Sequence, residues 1–196
     1  MSQPAFTIPQ DQLPALVQAM PKAELHMHIE GSIEPELFLQ LAERNQVEVR
    51  WKDVQSLRAA YDFQNLQTFL DLYYDGCRVL VHAQDFHDVT RAYLRKAHAD
   101  GVIHAELFLG PQGHTLRGVA MATVLEGVLS AMRAAQLEDG VSSGLILLAQ
   151  RHRTELALRV RIELQALHRA AQARRHRRRG RRADGPQTLP GRRAHP

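Results

Sequence analysis

Cysteine is nearly absent from this sequence. Cys77 stands alone among 196 residues, which excludes an internal disulfide and fits a reducing cytoplasm. A small buried apolar role is the expectation for its side chain. Long hydrophobic runs are also missing: no stretch approaches the roughly 18 apolar residues of a membrane span, so no membrane partner is expected. The N-terminus has no basic region leading into an apolar run, and no secretory leader is read there. Aromatic residues are sparse at 6%, and Phe108 is the only one after Tyr93.

Charge is present but unevenly placed, and the net +4 averages two unlike segments. Residues 1–150 hold 11 Lys+Arg against 18 Asp+Glu, a balance of −7; residues 151–196 hold 14 Arg, no Lys and 3 Asp+Glu, a balance of +11. The chain therefore divides into a globular part, 1–150, and an arginine-rich tail, 151–196. In the tail, Leu156, Val160, Leu164 and Leu167 are spaced for one helical face. Beyond them the composition cannot build a core, and disorder is expected.

Hydrophobic periodicity places the elements of the first part. In residues 22–29, Ala23, Leu25, Met27 and Ile29 share one parity while Glu24, His26, His28 and Glu30 share the other, which predicts a strand. Pro35 suits the first position of a helix whose apolar face holds Leu37, Phe38 and Leu41. Leu66, Phe69, Leu70 and Tyr73 predict a second helix over 65–75. Asp85 is placed as the cap of a third, which buries Phe86, Val89, Tyr93 and Leu94 and closes at Gly101. A buried strand follows at 102–109, a loop, a helix over 119–137, a turn at Asp139-Gly140, and a strand at 144–149. Strands alternating with helices, with apolar runs, predict α/β architecture with a parallel sheet covered on both faces. Three strands are legible, where a closed (β/α)₈ barrel needs eight and about 250 residues. Three strands leave open edges, so the isolated chain is expected to be marginal in stability and prone to association.

His26-Met27-His28 is the sharpest chemical signal. Residues i and i+2 of a strand project to one face, about 6.5–7 Å apart along the chain. Two imidazoles so placed can converge on a metal ion, and a strand's C-terminal end is where a barrel keeps its active site. Incidental histidines are the competing reading of the pair taken alone.

The wider string PKAELHMHIEGSIEPELFLQLAERN resembles the opening motif of the adenosine deaminase family, Pro-Lys-x-Glu-Leu-His-x-His. FQNLQTFLDLYY, residues 63–74, resembles a second stretch of that family, and AELFLGPQGHTLRGV, residues 105–119, looks most like the subfamily that deaminates free adenine. The resemblance runs from about Met20 to about Leu148. It implies the first three βα units of a (β/α)₈ barrel and a zinc-dependent aminohydrolase, in which zinc-activated water attacks C6 of a purine base or nucleoside and ammonia leaves. By the same match His26 and His28 are two zinc ligands, each needing an acceptor for its second ring nitrogen. Glu30 matches an acidic, substrate-facing position where adenosine-type members usually carry Asp, so the longer side chain favours a bare base; a structural hydrogen bond is the alternative. Glu106 is expected to be structural, and His114 and Arg117 stand in a loop that either lines the pocket or is solvated. Gly110 and Gly113 depart from the Asp and Thr usual in this segment, which is expected to loosen it.

What the family carries later is missing. A His-Ala-Gly-Glu motif with the third zinc-ligand histidine and the catalytic Glu, a later catalytic His and a final Asp pair are all absent. Two credible ligands fall short of the three that a catalytic zinc needs, so this chain is expected to hold zinc weakly or not at all and to be inactive. The Arg-, Ala-, Gly- and Pro-rich tail has the composition of a GC-rich gene read in a shifted frame, which suggests frame loss near residue 149; a genuine basic tail is the alternative. Two other functions stay open: adenosine in place of adenine as substrate, and nonspecific binding of nucleic-acid phosphates by the arginines, for which the tail offers no aromatic platform for stacking bases.

Overall fold

A computed structural model describes residues 8–149. The tail segment 151–196, with its expected helix and disorder, lies outside the described residues. Helix α1 (Leu13–Ala19) leads into strand β1 (Lys22–His28), which ends in a 3₁₀ turn at Ile29–Gly31. Helices α2 (Pro35–Arg44), α3 (Val54–Ala59), α4 (Leu66–Arg78) and α5 (Ala83–Ala99) follow, then β2 (Val102–Leu109), the short α6 (Gln112–Thr115), α7 (Met121–Glu138) and β3 (Ser142–Leu147). The three strands lie in the order β1-β2-β3, both pairs parallel, as the alternation of strands and helices predicts. The third strand starts two residues earlier than its apolar run, because Ser142 and Ser143 pair with His104 and Ala105. Among the described residues β1 and β3 each keep one unpaired edge, the feature behind the expected association. No described helix is long and apolar enough to cross a membrane.

Helices cover one face of the sheet, not both as the apolar runs predict: the described elements pack on one side only, and His26 is left exposed on the other. Ala105, Leu107 and Leu109 of β2 are fully buried and join a core with Phe86, Val89 and Leu94 of α5 and Val124 and Val128 of α7. Gly101 closes α5 at φ 83°, a left-handed conformation that only glycine adopts without cost. Gly127 lets α7 lie directly on the start of α5: a Cβ there would stand 2.7 Å from Phe86 Cβ and closer still to the Ala83 carbonyl.

Asp85 does more than cap α5. The N-cap is His82, and Asp85, in the first turn, accepts the backbone N–H groups of Val81 and His82 at 2.8 and 2.7 Å. It also accepts Asn45 Nδ2 at 2.7 Å and pairs with Arg44, so α2 is bolted to α5 through one fully buried carboxylate. Burial pushes its carboxyl pKa up, but the N–H donors of His82 and Val81, with Asn45 and Arg44, outweigh burial and hold it below the usual value. Such a group stabilises fully above its unfolded pKa of about 4 and loses that contribution as pH falls through its lower folded pKa. Asp85→Ala orphans buried donors and is expected to cost about 3 kcal/mol at neutral pH. Urea melts from pH 7 to 3 will show the native chain converging on the variant at the acid end.

Candidate active site

Strand β1 does not keep the strict alternation its sequence suggests. Glu24 pairs with Ala105 and Met27 with Leu107, so three steps on β1 match two on β2. Paired residues of neighbouring strands share a face. Glu24 therefore joins the helix-covered side with Ala105, where burial and the Glu24 carboxylate raise the Tyr93 phenol of α5 above its ordinary pKa. After the bulge His26 and His28 stand on the opposite, open face with Phe108. The expectation that Glu24, His26, His28 and Glu30 line one face is corrected at both ends. A bulge re-aims Glu24, and the 3₁₀ turn carries Glu30 into the interior.

The two imidazoles are neighbours. Their ring centroids lie 5.4 Å apart, and Phe108 packs against both, at 4.2 Å from His26 and 5.5 Å from His28. His26 is exposed and His28 half-buried, at the C-terminal end of the sheet. Imidazole nitrogens suit zinc among divalent ions. No group of three or more His, Cys, Asp or Glu able to hold a metal occurs among the described residues. They thus present two imidazoles on one face, fewer than the three protein ligands a catalytic zinc takes. Phe108, which no motif flagged, is legible only as the inward-parity neighbour of Glu106 on β2.

Glu30 is 2% exposed. Its Oε1 accepts the Gly110 N–H at 2.6 Å and stands 3.5 Å from His114 Nε2. Burial and the Glu30 carboxylate raise the pKa values of Tyr73 and Cys77 above their usual ranges. The Gly110 segment is therefore anchored, where its departure from the usual Asp suggests loosening. A Cβ at position 110 would sit 3.4 Å from Glu30 Oε1, and a second carboxylate there would crowd the first.

Of the two loop residues, Arg117 stays exposed as the solvated reading expects, while His114 takes neither expected place. His114 is fully buried, edge-on to Phe86 at 4.9 Å. Arg117 donates to the carbonyls of Cys77 at 2.6 Å and Leu80 at 3.0 Å, satisfying the C-terminal end of α4. Glu106 accepts from or pairs with His104 Nε2 at 2.9 Å, while His104 Nδ1 meets Ser142 Oγ at 2.8 Å, a polar cross-link between β2 and β3. This pairing is a structural contact of the kind expected for Glu106.

Comparison with known proteins bears on this arrangement. Adenine deaminase from Rhodopseudomonas palustris (strain BisB18) is 57% identical over 143 residues, which is 73% of this chain and 42% of that protein. Adenine deaminase from Rhodospirillum rubrum is 55% identical over 142 residues, 72% of this chain and 42% of its own. The chain thus spans about two-fifths of the length of these relatives. The crystal structure of adenine deaminase from Arthrobacter aurescens superposes with a TM-score of 0.73 at 48% identity, covering 76% of this chain and 46% of that one. An amidohydrolase from Burkhoderia ambifaria, solved with bound Zn, gives a TM-score of 0.60 at 27% identity over 74% of this chain and 40% of its own. These likenesses identify the three parallel βα units as part of a TIM-barrel fold. The adenosine deaminase family model matches residues 21–175, running past the point where the tail begins. With both histidines, the 3₁₀ turn and all three strands inside that span, the chain belongs to the adenosine deaminase family.

Proposed function

We propose that this chain is part of a zinc-dependent purine-base deaminase, the complete barrel hydrolysing adenine to hypoxanthine and ammonia in purine salvage in the cytoplasm. The observation that carries this reading is the β1 bulge, which turns His26 and His28 together onto the open face. Relatives that share over half of the aligned residues are adenine deaminases, which favours the base over adenosine. A zinc ion in such a site lowers the pKa of a bound water. His26 and His28 are two of its ligands, oriented by Phe108. A third ligand and the proton-transferring groups come from outside the described residues, so no catalytic step is assigned to this segment alone.

The tail composition supports loss of the reading frame near residue 149; the family model's match extends to residue 175. Nonspecific nucleic-acid binding by the tail is a property of its charge and has no observation in its favour among the described residues. Nucleotide sequence from codon 149 onward, continued well past codon 196, tests the proposal. Restored His-Ala-Gly-Glu and Asp-Asp motifs in another frame are the expected result. The restored protein should release ammonia from adenine faster than from adenosine and lose that activity on His26→Ala. A restored protein that prefers adenosine, or that keeps its rate after His26→Ala, overturns the reading.

A further inference from the structure

Helix α7 carries more apolar surface than its described neighbours cover. Val124, Val128 and Ala135 are fully buried in the core. Gly127 and Ser130 face α5, through the Ala83 carbonyl and through His87 Nδ1, which lies 2.7 Å from Ser130 Oγ. Leu125, Leu129 and Met132 stand at i, i+4 and i+7. With about 3.6 residues per turn they form one stripe, on the flank opposite Gly127 and Ser130 and so away from α5. Leu129 is 37% exposed, and the other two are half-buried.

The sheet beneath shows the same gap. Leu145 and Leu147 of β3 share the helix-covered face with their partners Leu107 and Leu109. The β2 pair is fully buried and the β3 pair only half-buried. Helix α5 packs on β2 and α7 on β3, and beyond α7 no described helix follows. An apolar groove thus runs along the outer flank of α7, with β3 as its floor.

The occupant is narrowed by size and reach. Three wall and two floor side chains are too few for a stable contact between copies, which takes about 20–30 residues a side. One helix fits such a stripe, and the chain carries one. Leu148 N–H still donates to the Leu109 carbonyl at 2.8 Å, so the described chain ends beside the groove. A few residues on come Leu156, Val160, Leu164 and Leu167, at i, i+4, i+8 and i+11. As a helix that stripe is about 17 Å long, against about 27 Å for the 18 residues of α7. The matched family span, residues 21–175, includes the segment.

We propose that residues 151–167 of this chain form a helix that docks along the α7–β3 groove, parallel to α7, with Val160 against Leu129. The short link from β3 makes the docking intramolecular, at an effective concentration of order millimolar. Arg159 and Arg161 flank the stripe and keep their guanidinium groups in water, so no charge is buried. Only residues 168–196 then remain as a basic extension. The inference is independent of the purine reading.

Hydrogen exchange read by mass spectrometry on the full chain tests it. Amides within 156–167 are expected to exchange at least tenfold more slowly than an unstructured peptide of the same sequence. Leu164→Asp in the segment, and Leu129→Asp in the groove, should each abolish that protection while leaving β2 protected. Leu164→Asp alters no described residue, so it keeps the test open if the groove variant fails to fold. A Leu129→Cys, Val160→Cys double variant should close a disulfide within one chain under mild oxidation. Coil-like exchange across 156–167 in the native chain overturns the proposal. So does protection that survives Leu164→Asp, which would place the helix elsewhere. Disulfide-linked dimers in place of the internal bridge would give the groove to a second copy and also overturn it.

Discussion

A polypeptide of these 196 residues, purified and supplied with zinc and adenine, is expected to form no hypoxanthine above the buffer rate. Acceleration in this chemistry needs a metal held in fixed geometry with an open position, and a group to move protons. The described residues bring together His26 and His28 and no third ligand. The sequence carries no His-Ala-Gly-Glu motif to supply the third histidine and the acid. Removing one component of such a machine costs orders of magnitude, and removing several leaves nothing to measure. Ammonia release and the absorbance change from adenine to hypoxanthine check this, with adenosine in parallel. Turnover clearly above buffer that disappears in His26→Ala would show that the chain completes its site by other means, and the assignment of missing groups would fall.

The second large effect concerns the scaffold. Gly127→Val is expected to destabilise the chain by more than about 3 kcal/mol, enough to leave much of it unfolded at room temperature. The α5–α7 contact has no room for a side chain at that position. Even the first carbon would overlap the Ala83 carbonyl and stand 2.7 Å from Phe86 Cβ. Backbone cannot yield as a long side chain can, so the helices must separate. That exposes Phe86, Val89, Val124 and Val128, which are all fully buried. His87 Nδ1 would also lose its 2.7 Å partner, Ser130 Oγ, one turn further along the same contact. Circular dichroism during urea titration will report the loss. A melt unchanged from the native chain would mean that α7 sits differently on α5. Leu137→Ala, at an 86% exposed position of the same helix, is the matched control and should stay within about 0.5 kcal/mol.

The sequence by itself determined the order of the three strands and of four helices, the parallel α/β class and the place of the histidine pair, but not α1, α3 or α6. Each is written in local pattern: apolar runs bounded by turn residues, Pro35 opening α2, Gly101 closing α5 and His-x-His at a strand end. Cys77 also behaves as its rarity suggests, a buried thiol with its pKa raised by burial. Tertiary structure decided which side chains meet. Strict alternation puts Glu24 and Glu30 beside the histidines, yet a one-residue bulge turns Glu24 to the helices and a 3₁₀ turn buries Glu30. Bulges arise from pairing with a neighbouring strand, here β2, where Met27 pairs with Leu107, and local periodicity carries no trace of that pairing. The same holds for Asp85, read locally as a cap and found bolting α2 to α5, and for Arg117, read as a loop cation and found closing α4. A charged group is placed by whichever distant donors or carbonyls most need a partner, and those are known only once the chain has folded around it.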